Sequence, residues 1–202
     1  MKKYIALLLV LVTLLTLTAC GKKDKDGAMG NTTTAAPMVM PESALELLQT
    51  VWASYGEGDK FYAMGGNYNE DEALNNNVEN APGKQALDDD GLTTKLMVPA
   101  DQVANIAEAA SLMHGMMANN VTCGAYKMNP NADAKAFGDA VYTSITENHF
   151  LCGAPEAVFI AKLDNEYVVA VYGMQELLNT FEQKLKAAYP GAEVLHSKLI
   201  VG

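Results

Sequence analysis

Between Val121 and Val201 the apolar residues alternate between a strand rhythm and a helical one, and this alternation constrains the fold more than any other feature. A strand is predicted at Val121 to Met128. A helix follows at Ala132 to Glu147, with Phe137, Val141 and Ile145 on one face, and then a strand at Ala157 to Leu163. Asp164-Asn165 supplies a turn. The chain continues with a strand at Glu166 to Tyr172, a helix at Met174 to Ala188 with Leu177, Leu178, Phe181 and Leu185 inward, and a last strand at Glu193 to Val201. The order βαββαβ predicts an α+β fold of the ferredoxin-like kind, an antiparallel sheet with two helices on one face.

Upstream, Ser43 stands three residues before Glu46, the spacing of a capping box, and Leu45, Leu48, Val51, Trp52 and Tyr55 then share a helical face. From Gly56 to Thr94 the chain is rich in Gly, Asn and Asp and reads as a long loop with one strand at most. Leu96 to Val98 reads as a short strand. Pro99 and Asp101 open a second predicted helix, with Val103, Ile106, Ala107, Ala110, Met113 and Met117 on one side and Asn119-Asn120 at its end. One domain over 42–202 is expected. Residues 42–98 give it a helix and a loop, and residues 99–202 a helix and the βαββαβ core.

The N-terminus carries a different message. Lys2 and Lys3 precede an apolar run from Ile5 to Leu17, which ends in the small residues Thr18 and Ala19, the order of a secretion signal. The run is short for a membrane span, and the polar stretch Gly21-Lys22-Lys23-Asp24-Lys25-Asp26 follows it. Leu17-Thr18-Ala19-Cys20 matches the lipobox, so Met1–Ala19 is expected to be removed and Cys20 to carry acyl chains, palmitate among them. The expected product is an extracytoplasmic lipoprotein of the bacterial cell membrane. Residues 20–41 would be its tether, since they hold too little apolar surface to fold.

Removing Lys2 and Lys3 leaves 12 lysines against 24 acidic residues, a formal charge of −12. The chain has no arginine, so the planar fork that grips phosphate or a guanine edge is missing and nucleic acid is a poor partner. With Cys20 lipidated, Cys123 and Cys152 remain. An even pair in an exported protein is compatible with a disulfide, worth about 3.5 kcal/mol on the chain-entropy model, and equally with two free thiols. In a ferredoxin-like sheet the two residues start roughly 10 Å apart, which a bridge would have to close.

Three stretches carry a resemblance: Ala109-Ala110-Ser111-Leu112-Met113-His114, Asn119-Asn120-Val121-Thr122-Cys123-Gly124-Ala125-Tyr126 and Cys152-Gly153-Ala154-Pro155-Glu156. Together they resemble a family of uncharacterised lipoproteins of gut Firmicutes, over roughly Gly91 to Val201. Some members are labelled bacteriocin transport accessory protein. That label implies thioredoxin-like thiol chemistry, and this sequence departs from it in having no CxxC. The resemblance supplies no catalytic residue.

Three constellations could carry chemistry. Cys123 and Cys152, with His149 nearby in sequence, could form a thiol pair, although a structural bridge or buried thiols explain them more simply. Met113-His114-Gly115-Met116-Met117 gathers soft ligands that suit Cu(I), while a packed helix end accounts for the same residues. Asp88-Asp89-Asp90-Gly91, with Asn67, Asn69 and Asp71 upstream, offers oxygens for a hard cation but does not complete a calcium-loop pattern. Tyr62, Tyr68, Tyr126, Tyr142, Tyr167 and Tyr172 could line a groove. No GxSxG, HExxH or Gly-rich phosphate loop is present. The leading expectation is a non-catalytic, membrane-anchored binding module for a protein or small-molecule ligand, with no cofactor. A thiol-redox accessory protein acting on exported peptides is the alternative, and a metal-binding lipoprotein the second.

Overall fold

In the computed structural model residues 39–68, 75–150 and 153–200 are described. The signal segment, the lipobox with Cys20, the tether up to residue 38, Asn69, Asp71 and Cys152 lie outside them. Strands β1 (Ala63–Gly65), β2 (Val78–Glu79), β3 (Gly83–Gln85), β4 (Ile106–His114), β5 (Val121–Met128), β6 (Ala157–Leu163), β7 (Tyr167–Gly173) and β8 (Glu193–Leu199) form one antiparallel sheet. Its order is β2-β1-β4-β5-β7-β6-β8, with β3 also paired to β4. Helices α1 (Ala44–Ala53), α2 (Ala134–Glu147) and α3 (Gln175–Ala188) pack on it. The fold is α+β, and the βαββαβ element order from Val121 onward is present.

The ferredoxin-like arrangement of those elements needs correction. It places the last strand beside the first and both helices on one face. Here β4 holds the free side of β5, and β8 pairs instead with β6 at the opposite edge. Both βαβ crossovers therefore step in the same direction from strands, β5 and β7, that run antiparallel. Right-handed crossovers then put their helices on opposite faces. The two hydrophobic cores show this separation. Phe137, Val141 and Ile145 of α2 pack with Tyr126, Val158, Ile160, Val168 and Ala170 on one face. Leu178, Phe181 and Leu185 of α3 join Leu47, Leu48 and Val51 of α1 over Cys123, Ala125, Phe159, Val169 and Val171 on the other.

The second correction has the same origin. The segment predicted as a helix from Pro99 is a 3₁₀ turn at Ala100–Asn105 followed by β4. Ala107, Ala109 and Ala110 favour a helix intrinsically, but β4 lies between two covered faces, and burial on both sides removes the alternation that marks a strand. Ala110 packs in the core beneath α1 and Ala109 in the opposite core, so small side chains let both layers approach the sheet.

Leu96–Val98 is not a strand. It belongs to a segment that starts with a π-helical turn at Asp90–Lys95 and lies on the α2 face with Leu92, Leu96 and Val98 buried. Tyr126 donates its hydroxyl hydrogen to the Leu96 carbonyl at 3.3 Å and Tyr172 to the Lys95 carbonyl at 2.9 Å, so the sheet holds that backbone through side chains. The first helix does begin at Ser43, in a variant of the capping box whose carboxylate reaches back to the residue before the N-cap. Ser43 Oγ accepts from Glu46 N–H at 3.1 Å, and the Glu46 carboxylate accepts from Glu42 N–H at 2.6 Å. Just before it, Tyr167 hydroxyl donates to the Pro41 carbonyl and Lys127 Nζ to the Glu42 carbonyl, both at 2.8 Å. The preceding chain thus joins the domain at the Lys127 end of β5.

Within the Gly56–Thr94 segment, β1, β2 and β3 extend the sheet beyond β4. Two glycines make this possible. A methyl group on Gly83 would sit 2.6 Å from the Gly65 carbonyl carbon, and one on Gly65 would overlap the Gly83 nitrogen. Backbones that approach this closely exclude any side chain. Gly83→Ala is expected to lower unfolding stability by about 2–3 kcal/mol in urea titrations with an unchanged m-value. A loss under about 0.5 kcal/mol would mean that β1 and β3 separate easily.

Candidate functional site

Residues 109, 111 and 113 of β4 face the same side as α2 and the 92–98 segment. That covering stops short of the His114 end of the strand. Met64 of β1 stands directly opposite Met113 of β4. Together they contribute two thioether side chains to a cleft of about 300 Å³, which also takes in Tyr68 from a loop, Lys95 from the end of the π-helical turn, His114, and Met116 and Ala118 from the turn into β5. The volume is at the lower end of ligand pockets. Met116 is 80% exposed and Met117 55% exposed, an unusual display of flexible, polarisable apolar surface. Two other hollows differ in lining. One of about 210 Å³ holds Lys84 and Glu108, and one of about 450 Å³ holds Lys127, Asp164 and Glu166.

A buried polar chain meets the Met64–Met113 cleft at Gly66 and Lys95. Ser111 Oγ accepts from Gly66 N–H at 3.0 Å. Asn67 Oδ1 accepts from Gln85 Nε2 at 2.9 Å and from Lys95 Nζ at 3.4 Å. Asn67, Gln85 and Ser111 are all buried. Gln85 Oε1 has no hydrogen-bond partner, the one such buried side-chain atom among the described residues. Lys95 also pairs with Asp90 at 3.2 Å, where the carboxylate side chain is 71% exposed and the lysine 29%. An ion pair so open to water is weak, and Asp90 can leave it at small cost.

The acidic run is used structurally. Asp88 Oδ1 accepts from Gly91 N–H at 2.6 Å, Thr93 hydroxyl donates to the Asp89 carbonyl, and Asp90 meets Lys95. No three His, Cys, Asp or Glu side chains converge as metal ligands among the described residues. His114 points to the α1 face, where its ring stacks on Phe61 with centroids 5.7 Å apart, and its Nδ1 accepts from Met116 and Met117 N–H at 3.3 Å. The tyrosines do not form one groove. Tyr68 reaches the cleft, Tyr126, Tyr167 and Tyr172 anchor backbone carbonyls, Tyr142 stacks on His196 at 4.0 Å, and Tyr62 packs where a methyl on Gly115 would sit.

Cys123 sits in the middle of the sheet, 1% exposed, with its side chain in the α1–α3 core. Burial raises its thiol far above the ordinary range, so the reactive thiolate is disfavoured. It has no disulfide partner among the described residues, and Cys152 lies outside them. His149 is exposed just beyond α2 and its C-cap Asn148. The sequence reading singled out Met113, His114 and Met116. It missed Met64 and Lys95, which reach the cleft only through the pairing of β1 with β4 and the folding back of the 90–98 segment. Comparison with protein-family models, curated proteins and solved structures gives no match.

The buried acids set a pH limit. Burial raises Cys123 and Tyr126 and pushes Tyr172 up to about 12. Their stabilisation is complete below the unfolded-state values, about 8.5 for a thiol and 10 for a phenol, and is lost as pH rises above them, because the unfolded chain then binds fewer protons. Unfolding free energy is therefore expected to be flat near pH 7–8 and to fall above about pH 9, with the first part of the decline absent in Cys123→Ala. In a Cys20→Ser, Cys152→Ser chain, Ellman's reagent should find no reactive thiol until guanidinium unfolds the domain. Rapid reaction of the folded chain would restore the thiol-redox alternative.

Proposed function

We propose that this chain is a lipid-anchored extracytoplasmic binding module, non-catalytic, which holds a small molecule in the Met64–Met113 cleft. The observation that carries the reading is an open cleft with a thioether floor, to which Lys95 comes hydrogen-bonded to buried Asn67. Sites of this make-up bind ligands by apolar burial, with a few placed polar groups to orient them. The anchoring half rests on the sequence alone, on Leu17-Thr18-Ala19-Cys20. It is consistent with the place where the chain enters the domain. Pro41 is held at the Lys127 end of β5, whereas the cleft lies near Thr122, roughly 15–20 Å away along the strand and on the opposite face.

The thiol-redox reading is weaker because Cys123 is buried and electrostatically unsuited to attack. The resemblance to bacteriocin transport accessory proteins therefore lends no chemistry to the site. Ferredoxin-like kinship is not part of this proposal, since the strand order differs.

Two measurements test the two halves. In a bacterial host, the wild-type chain should take up an alkyne-tagged palmitate and fractionate with membranes. Cys20→Ser should lose both properties, and an unlabelled wild type would remove the anchor. For the cleft, the uncharged probe N-phenyl-1-naphthylamine should show one saturable fluorescent site per mature chain. Met113→Glu should weaken it at least tenfold while leaving far-UV circular dichroism unchanged. Undiminished binding by a folded Met113→Glu chain would place the site elsewhere.

A further inference from the structure

Among the described residues the lining of the cleft differs in charge from that of the other two hollows. The mature chain carries twice as many acidic residues as lysines. Yet among the described residues lining the cleft there is no carboxylate, and Lys95, paired with Asp90 outside that lining, brings an ammonium group to it. The other two hollows each set acidic side chains beside their lysine. Lys95 is also oriented by a buried network, through Asn67 and from there Gln85. Its remaining partner, Asp90, is solvent-exposed and exchangeable.

Resting on the cleft reading above, we infer that the ligand is a small amphiphilic monoanion, with an aliphatic or aromatic body on the Met64–Met113 floor and a carboxylate or similar group that replaces Asp90 on Lys95. The thioethers supply a floor that adapts to shape, and the ammonium supplies selection by charge. The same ammonium opposes a bound cation at the thioethers, and His114 Nδ1 is already an acceptor for two backbone N–H groups. The net negative charge of the domain repels anions at long range, so selection depends on short-range contact with Lys95 rather than on steering.

The test uses the mature chain with methionine methyl groups labelled by carbon-13, titrated with octanoate, 1-octanol and octylammonium. Octanoate is expected to shift the Met64, Met113 and Met116 methyl signals saturably while Met128, in the α2-side core, stays fixed. 1-Octanol should bind the same methyls about five- to tenfold more weakly, and octylammonium should not saturate. Lys95→Gln should erase the preference for octanoate over octanol. Asp90→Asn, which frees Lys95, should tighten octanoate severalfold. These opposite effects would not follow from a purely structural pair. Equal affinity for octanoate and octanol, unaffected by Lys95→Gln, would overturn the anion assignment and leave the cleft reading intact. Preference for octylammonium, or tighter binding of silver(I) at those methyls in Lys95→Gln, would show a cation site instead. No saturable shift with any of them would remove the cleft reading itself.

Discussion

The pairing of β4 with β5 is the constraint on which the rest of the structure depends. Their register, from Ile106 opposite Met128 to Met113 opposite Thr122, occupies the side of β5 that a later strand could have taken. β8 is displaced to the far edge beside β6, the second crossover reverses its sense relative to a ferredoxin-like sheet, and α3 is carried to the face opposite α2. A sheet covered on both faces needs apolar residues on both sides of its central strands. Val168–Tyr172 of β7 and Val158–Ala161 of β6 meet that need with continuous buried runs.

Elements whose signals are local were legible. Ser43 with Glu46 marked the start of α1, Asp164-Asn165 the β6–β7 turn, and the periodicity of Phe137, Val141 and Ile145 the inward face of α2. β4 was not legible. Its alanines suit either state, and what makes it a strand is an unsatisfied edge on β5, a non-local fact. Topology failed for the same reason: the six-element rhythm is compatible with either edge for the last strand, and a segment outside the rhythm decided between them.

The site was half legible. Met113 and Met116 stood out as a soft cluster, but assigning them to a helix placed them in a core. Once β4 is a strand, alternation turns the His114 ring toward Phe61 and engages its Nδ1 with the Met116 and Met117 N–H groups, although His114 still borders the cleft that holds Met113. Met64 and Lys95 gave no signal, because Gly- and Asn-rich surroundings read as loop. Their convergence depends on the Gly65–Gly83 approach and on tyrosine hydroxyls that hold the 95–96 backbone.

The entry of the chain at Pro41 has a mechanical meaning. Tyr167 and Lys127 grip the carbonyls of Pro41 and Glu42 from neighbouring antiparallel strands at the centre of the sheet. A pull transmitted along the preceding segment would therefore first strip two side-chain hydrogen bonds and then unwind the start of α1. Because those two bonds end on β5 and β7, a load arriving at Pro41 is shared from the outset between the start of α1 and the middle of the sheet, where seven paired residues resist it.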